Sequence, residues 1–226
     1  MILKNIIIIN FMKELVLIPT SIYIFLTYYL SSLKLNLSKN IYFLNARKYH
    51  NLFMSTLSFY MLICIFYGNY QDNKFCNIKS LLCKENNSDI TINIHYVFYY
   101  SKYLEWLDTL FLVLADKAIR PIHIIHHAIV PYLTINSFGA SYSLIFMGTN
   151  TFVHTIMYLY YAYPSYFKNI RKVITYIQII QHFLCFFVTF YVKFIDDCEI
   201  ANSFTNKFAM YSYFVFIYLF TGLLRN

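Results

Sequence analysis

The chain has 226 residues, of which 59% are hydrophobic and 21% aromatic, and it contains only four glycines and four prolines. This composition excludes an ordinary water-soluble domain, which contains far more polar residues. The formal net charge is +8, but the basic residues are spread among the short segments between apolar runs. Because they form no single basic patch, the charge does not indicate a nucleic-acid partner. We therefore expect an all-α integral membrane protein.

Seven apolar runs are long enough for a helix to cross a bilayer, which takes roughly 20 residues. They are predicted at 15–33, 49–67, 91–114, 122–138, 142–163, 173–194 and 204–223, and the fourth is the shortest. No repeat or linker separates them, so residues 1–226 are predicted to form a single transmembrane domain. Lys and Arg are more frequent in the loops on one side, which predicts a non-cytosolic amino terminus and a cytosolic carboxyl terminus.

Five cysteines are divided between predicted spans and predicted loops. Cys64 and Cys185 lie within spans, where we expect them to be small buried hydrophobic residues. Cys76, Cys83 and Cys198 lie in loops on the non-cytosolic side, in an oxidising compartment. We expect one disulfide between the second–third loop and the sixth–seventh loop, with Cys198 paired preferably to Cys76 and less favourably to Cys83.

The third predicted span carries ionisable groups, which are costly in hydrocarbon and are normally retained for a task. Lys102, Glu105, Asp108 and Thr109 follow the spacing i, i+3, i+6 and i+7, so they share one face of a helix. We expect that face to point inward. A structural ion pair of Lys102 with Glu105 or Asp108 is the alternative interpretation.

The fourth predicted span opens with three histidines within one helical turn, His123, His126 and His127. A single histidine in a membrane helix can simply bond a neighbouring helix, but a cluster of three is poorly explained in that way. Imidazole can act as a metal ligand, as a general acid or base, or as a nucleophile through an acyl-imidazole. The spacing alone does not choose among these chemistries.

The fifth and sixth predicted spans carry polar residues at helical spacing. Asn150, His154 and Tyr158 lie four residues apart and form one stripe on the fifth. On the sixth, Gln178 and Gln181 follow Thr175 at every third residue, and we interpret them as lining, although such a stripe more often joins helices. His50 and His95 lie at span ends and are interpreted as interfacial, without a chemical role.

Taken in order, these groups resemble four motifs of the ELO family of very-long-chain fatty acid elongases. The family's K-x-x-E-x-x-D-T, H-x-x-H-H, N-x-x-x-H-x-x-M-Y-x-Y-Y and T-x-x-Q-x-x-Q correspond to residues 102–109, 123–127, 150–161 and 175–181. Each motif alone is weak, but the ordered set is specific. His182, directly after the last motif, departs from the family pattern.

The resemblance implies an enzyme of the endoplasmic reticulum membrane, a very-long-chain 3-oxoacyl-CoA synthase. Such an enzyme condenses malonyl-CoA with a long-chain acyl-CoA to give 3-oxoacyl-CoA, CO2 and CoA. About seven transmembrane helices would form a bundle or barrel around a narrow acyl tunnel. The implied catalytic residues are Lys102, Asp108, His123, His126, His127 and His154. The implied substrate-binding residues are Glu105, Thr109, Asn150, Tyr158, Tyr161, Gln178 and Gln181.

Among the histidines, the resemblance favours His126 as the acyl carrier and His154 as its partner in the condensation. We expect no metal and no other cofactor. The implied partners are the two CoA substrates, membrane lipid, and the 3-oxoacyl-CoA reductase, dehydratase and enoyl-CoA reductase of the elongation cycle. A homo-oligomer is compatible with the family, and no nucleic acid is expected.

Two other classes of membrane protein share some of these features. Di-iron desaturases and hydroxylases also use H-x-x-H-H boxes, but they need about eight histidine ligands from several boxes. This chain has seven histidines and one such box. A non-catalytic seven-span receptor or channel would use intramembrane charges for a pathway or a ligand, but it leaves the three-histidine cluster unexplained.

Overall fold

The computed structural model describes residues 12–83, 88–138, 140, 142–194 and 204–224. Within these ranges the chain is helical and contains no β-strand, which confirms the predicted all-α class. The low glycine and proline content favours this outcome, because glycine weakens and proline breaks the interior of a helix. The prediction of a single domain over the whole chain stays a prediction.

Nine α-helices follow one another within the described ranges. They are α1 (Leu17–Ser32), α2 (Ile41–Gln71), α3 (Ile78–Cys83), α4 (Asp89–Leu104), α5 (Trp106–Leu114), α6 (Pro121–Asn136), α7 (Ser143–Ala162), α8 (Arg171–Phe194) and α9 (Phe204–Leu224). Short 3-10 helices occupy Leu37–Lys39, Lys74–Cys76 and Lys168–Ile170.

Four of the described helical segments are long and apolar enough to cross a membrane. They are Met12–Ser32, Ile41–Gln71, Lys168–Phe194 and Asn206–Leu224, and they match the first, second, sixth and seventh predicted spans. The chain is therefore a multi-pass membrane protein. The other three predicted spans differ: the third is divided into α4 and α5, the fourth is a 16-residue helix, and the fifth is a 20-residue helix that carries many polar groups. The count of seven spans stays a prediction.

The third predicted span is divided at Glu105. The Glu105 amide donates to the Ser101 carbonyl four residues back, at 3.0 Å, but the Asp108 amide donates to the Glu105 carbonyl only three residues back, at 3.1 Å. This i+3 bond is the pattern of a 3-10 turn, which often marks a functional segment when it interrupts an α-helix. The predicted span at 91–114 is therefore present as two helices that are separated at the centre of the charged motif.

The described residues pack as two compact units. Unit 1 contains residues 12–46 and 98–138, and unit 2 contains the described residues of 47–97 and 140–224. In unit 1, α1 packs against α5 and α6, around a core formed by Val16, Tyr99 and Ile135. In unit 2, α8 packs against α3, α7 and α9.

A buried histidine holds the helices of unit 2 together. The side chain of His95, in α4, is 1% exposed, and its Nε2 lies 2.7 Å from the hydroxyl oxygen of Ser143 at the start of α7. Its Nδ1 lies 2.9 Å from the carbonyl oxygen of Thr91. Both ring nitrogens therefore have partners, as buried polar atoms require. The structure assigns His95 to helix packing, and its predicted depth at the membrane interface stays a prediction.

The loop cysteines do not follow the preferred pairing. Cys76 is a free and exposed thiol, so the predicted bond to Cys76 was wrong. Cys83, the less favoured partner, is disulfide-bonded. Cys198 lies outside the described residues. Cys83 ends α3, and the preceding Leu82 packs in one cluster with Val188 and Val192 of α8, which positions this helix end.

The close approach of α2 to α4 predicts that Gly68 does not tolerate a side chain. A Cβ at Gly68 would lie 2.5 Å from Cγ2 of Thr91, a buried residue whose hydroxyl is held by the Ser88 carbonyl at 2.8 Å. Overpacking of this kind costs about 1–3 kcal/mol. We therefore expect Gly68→Ala to lower the melting temperature in detergent by several degrees. Gly148→Ala is the control, because its Cβ meets only Ile65 at 3.6 Å; equal melting temperatures would contradict the assigned contact.

The cysteine assignment predicts a simple labelling pattern. In protein isolated without reductant, a water-soluble maleimide should modify Cys76 but not Cys83, because a disulfide sulfur does not react as a thiolate. Peptide mass spectrometry should detect modification of Cys83 only after reduction. Labelling of Cys83 before reduction would show that the bond is absent.

Candidate functional site

An ion pair lies within the charged motif of residues 102–109, in unit 1. The ammonium nitrogen of Lys102 is 2.6 Å from Oε1 of Glu105, and the two side chains are 1% and 2% exposed. The ammonium also lies 4.0 Å from the centre of the Phe98 ring, where a cation is favoured. This is the structural ion pair that the sequence left open as the alternative. The predicted contacts of Lys102 and Glu105 with substrate stay predictions.

Thr109 and Trp106 connect the motif to the neighbouring helices of unit 1. The Thr109 hydroxyl lies 2.8 Å from the phenol oxygen of Tyr23 in α1, and the Tyr23 ring stacks on Trp106 at 4.6 Å between ring centres. The Trp106 indole N–H donates to the backbone carbonyl of His127 at 2.9 Å. These contacts hold α5 against α1 and against the histidine helix, so the motif and the histidines are positioned together.

The three-histidine cluster lies on the first two turns of α6. This helix begins at Pro121, and proline is favoured at that position because its ring presets the helical backbone. The ring centre of His127 lies 4.5 Å from that of His123 and 5.5 Å from that of His126. His127 is buried, whereas His123 and His126 are half-buried. The structure therefore brings the three imidazoles into one group, as the sequence predicted.

His123 has a buried nitrogen without a visible partner. Its Nε2 is fully buried, and no described group forms a hydrogen bond with it. Asp108 and Glu105 are near enough to act on this imidazole electrostatically. A buried polar atom without a partner costs roughly 1–3 kcal/mol, so a bound group that contacts Nε2 would recover that free energy. Within the described residues, no group of three or more His, Cys, Asp or Glu side chains is arranged around a common metal position.

In unit 2, the Asn150–His154–Tyr158 stripe forms a buried array on α7. The Asn150 amide nitrogen lies 3.2 Å from Nε2 of His154, and the amide can only donate in this contact. The His154 ring meets the Tyr158 ring edge to face at 5.5 Å. Asn150, His154 and Tyr158 are 8%, 7% and 0% exposed. The array fixes the orientation of the His154 imidazole from both sides.

His50 was predicted to have no chemical role, but in the structure its ring extends this array. The His50 ring, on α2, lies edge to face against the Tyr158 ring of α7, with 6.2 Å between the ring centres. The hydroxyl of Ser55 donates to the Thr155 carbonyl at 2.8 Å and holds α2 against α7 beside it. No spacing in the sequence pointed to this contact, because five residues place His50 and Ser55 about 140° apart around an α-helix.

The remaining predicted residues of unit 2 occupy varied environments. The Gln178 amide donates to the sulfur of Met157 at 3.5 Å, whereas Gln181 is buried and lines a cavity between α2, α7 and α8. Tyr161 is 45% exposed. His182 is buried against three aromatic rings of α9, with ring centres at 4.9 to 6.1 Å. Gln178 therefore contributes to helix packing and Gln181 to a cavity wall, and the predicted lining of a substrate site by both stays a prediction.

The sequence matches the family described as ELO: GNS1/SUR4 family over residues 11–226. It is 35% identical over 143 residues to "Fatty acid elongase sre1" of Dictyostelium discoideum, a match that covers 58% of this chain and 52% of that protein. It is 31% identical over 137 residues to "Very long chain fatty acid elongase 7" of Rattus norvegicus, covering 55% of this chain and 44% of that protein.

A longer match is 27% identical over 198 residues to "Fatty acid elongase 2" of Trypanosoma brucei brucei, covering 76% of this chain and 71% of that protein. The chain spans about half the length of the curated relatives that it matches with greater identity. These relatives carry names that refer to elongation of fatty acids, and the four motifs of this chain lie within the region matched by the family.

The buried ion pair predicts that replacing one partner lowers the free energy of unfolding more than replacing both partners does. Glu105→Gln removes the carboxylate at 2.6 Å from the Lys102 ammonium, and breaking a buried pair in this way typically costs about 3–5 kcal/mol. Replacing both partners, as Lys102→Met with Glu105→Met, should recover most of the lost free energy of unfolding. Unfolding in detergent, followed by tryptophan fluorescence, measures both variants. A double variant less stable than Glu105→Gln would contradict the structural role of the pair.

Proposed function

The chain belongs to the ELO family, the GNS1/SUR4 family, and on this basis we propose that it is a fatty acid elongase that carries out the condensation step. The substrates would be malonyl-CoA and a long-chain acyl-CoA, and the products 3-oxoacyl-CoA, CO2 and CoA. The observation that carries the proposal is the ordered set of four motifs within a family match to residues 11–226. The activity corresponds to a very-long-chain 3-oxoacyl-CoA synthase of the endoplasmic reticulum membrane.

The reaction has two halves in this proposal. First, an imidazole nitrogen attacks the thioester carbonyl of the acyl-CoA, an acyl-imidazole forms, and CoA leaves as a thiolate that takes up one proton. Second, malonyl-CoA loses its carboxylate as CO2, and the resulting enolate carbon attacks the acyl carbonyl. The new carbon–carbon bond gives 3-oxoacyl-CoA, and the imidazole leaves and takes up one proton from water. No external oxidant or reductant enters this balance.

We assign the acyl-carrier role to His126 for two reasons. It occupies a histidine position of the family motif, and its half-buried position on α6 leaves the imidazole accessible to a substrate. His123 and His127 are its neighbours, and Asp108 lies near enough to His123 to orient it electrostatically. We assign His154 to the condensation half, with Asn150 and Tyr158 holding its ring. Hydrogen-bond donors of this kind also stabilise the charge that develops on a thioester oxygen.

The remaining parts of the proposal concern the setting of the reaction. The acyl chain would occupy an apolar tunnel, and the CoA groups would bind at the cytosolic side beside the basic loops. The 3-oxoacyl-CoA product would be consumed by a reductase, a dehydratase and an enoyl-CoA reductase. Substrate contacts are proposed for Glu105, Thr109, Tyr161, Gln178 and Gln181 together with Lys102.

The direct test uses purified protein in detergent or nanodiscs. The protein is incubated with malonyl-CoA carrying a labelled carboxylate and with saturated acyl-CoAs of increasing length. We expect release of labelled CO2 that depends on the acyl-CoA, with equimolar 3-oxoacyl-CoA detected by mass spectrometry. Protein that is folded by size-exclusion chromatography and binds acyl-CoA, but releases no CO2 with any chain length, would contradict the proposed activity.

Substitution of the two assigned histidines should abolish this activity without unfolding the protein. Loss of a general acid or base typically lowers the rate by about 10² to 10⁴, and loss of a nucleophile lowers it more. His126→Ala and His154→Ala should therefore retain less than about a hundredth of the wild-type rate. Cys64→Ser and Cys185→Ser are matched controls and should turn over normally. An inactive but folded cysteine variant would instead indicate a thiol nucleophile.

A further inference from the structure

A cavity of about 390 Å³ lies within unit 2, between α2, α7 and α8. Three of its wall residues, Phe66, Phe152 and Ile180, are 59%, 47% and 65% exposed, so the cavity opens on the outer face of these helices. Because α2 and α8 are both apolar enough to span a membrane, we expect this opening to face hydrocarbon rather than water. The cavity is therefore accessible from within the bilayer.

Part of the cavity wall lies on the opposite face of α7 from the Asn150–His154–Tyr158 array. Gly148 and Phe152 contribute to its wall, and each is two residues from Asn150 along the helix. Two residues correspond to about 200° around an α-helix, so these positions face away from the histidine stripe. This part of the wall is thus separate from the arrangement around His154, while Gln181, a proposed substrate contact, also lines the cavity.

One polar atom in this apolar wall lacks a partner. Asn69 lines the cavity and is 5% exposed, and its amide nitrogen donates to the Ile65 carbonyl at 3.0 Å. Because the amide NH2 is engaged there, the other terminal atom is the carbonyl oxygen, Oδ1. That oxygen is buried, and no described group forms a hydrogen bond with it. An unpaired acceptor of this kind costs roughly 1–3 kcal/mol, and a ligand that donates a hydrogen bond would recover it.

The position of Asn69 near the end of α2 determines which end of a bound ligand would lie close to the membrane–water boundary. Asn69 lies two residues before the end of α2, and the polar residues Asp72, Asn73 and Lys74 follow. From Asn69 the cavity extends along α2 to Leu62, which is about 10 Å at 1.5 Å per residue. A ligand would therefore place a donor group near the membrane–water boundary and an apolar body toward the membrane interior.

These features lead us to propose that the cavity binds one sterol, whose hydroxyl donates to Oδ1 of Asn69. A volume of about 390 Å³ is at the small end of the range for ligand sites, and it does not hold a two-chain phospholipid. No Lys or Arg is among the described wall residues, so a phosphate head group finds no cation there. A rigid ring system also loses less conformational entropy on binding than a flexible chain of similar area.

Gly148 fits a flat ligand. It has no side chain, so the α7 backbone is open to the cavity at this position, and a Cβ built there meets only Ile65 at an ordinary 3.6 Å. A small residue at the wall allows close approach of a ring face. The same geometry permits a test, because a larger side chain at this position would enter the cavity before it disturbed the helix contacts.

The experiment uses the full chain in nanodiscs of phosphatidylcholine with a photoreactive, clickable cholesterol probe. We expect crosslinks on peptides of α2, α7 and α8 that surround the cavity, and excess cholesterol should compete for them. Gly148→Leu should reduce this labelling by at least about tenfold by filling the cavity. Gly222→Leu is the control, because a Cβ there meets nothing within 4 Å and Gly222 lies on α9.

The hydroxyl contact is tested separately with Asn69→Leu. Wild-type protein should bind cholesterol several-fold more tightly than its 3α epimer, and Asn69→Leu should remove that preference by weakening cholesterol binding about two- to tenfold. Melting temperatures identify any variant that does not fold. If Asn69→Leu does not fold, the ratio of the wild-type affinities for cholesterol and its 3α epimer tests the hydroxyl contact by itself, and equal affinities would contradict it.

Three results would overturn the proposal. Labelling spread over all exposed helix faces and unaffected by Gly148→Leu would show only surrounding membrane lipid. Stronger competition by 1-hexadecanol than by cholesterol would show a flexible occupant. Shorter elongation products from Gly148→Leu, without any effect of cholesterol on labelling, would show that the cavity receives the acyl chain of the substrate.

Discussion

The structure depends on one constraint: polar side chains held inside apolar helices need partners, because hydrocarbon offers none. Lys102 meets Glu105 at 2.6 Å, His95 meets Ser143 at 2.7 Å, and Ser55 meets the Thr155 carbonyl at 2.8 Å. Each of the last two contacts joins different helices, so satisfying a polar group also fixes how those helices pack. The buried polar groups thus determine the packing as well as the chemistry.

The same constraint explains why the motif residues are interrupted in their helix. At Glu105 the hydrogen-bond pattern tightens from i+4 to i+3, and the helix resumes at Trp106. Trp106 then donates to the carbonyl of His127, which ties the motif to the histidine helix. The loss of regular helix geometry at this point is offset by the free energy of the indole hydrogen bond and of the ion pair. We infer that the interruption helps to position the histidine cluster through the contact of Trp106 with His127.

Elements that depend on local properties were predictable from the sequence. Apolar length alone located the four long spans, because burial in a membrane requires about 20 residues regardless of the neighbouring helices. The grouping of His123, His126 and His127 also followed from spacing, since these residues lie within a turn or so of one helix. In the same way, the i and i+4 spacing predicted that Asn150 and His154 share one stripe, and the structure shows the two side chains in contact.

Elements that depend on distant residues were not predictable. The division at Glu105 involves contacts of α5 with α1 and α6, and the role of His50 follows only from where α2 meets Tyr158. Cys83 rather than Cys76 is disulfide-bonded, and the neighbouring Leu82 packs against α8, a contact between residues about 100 positions apart. The cavity beside Asn69 likewise needs three helices to exist.

The central claim is that an imidazole of the three-histidine cluster carries the acyl group. Purified protein would be mixed with stearoyl-CoA in the absence of malonyl-CoA, and its intact mass and the free CoA thiol would be measured. The proposal predicts one acyl group per chain, one equivalent of CoA released, and an adduct that hydroxylamine removes and that maps to the peptide containing His126. No adduct and no released CoA, in protein that still condenses acyl-CoA with malonyl-CoA, would contradict it.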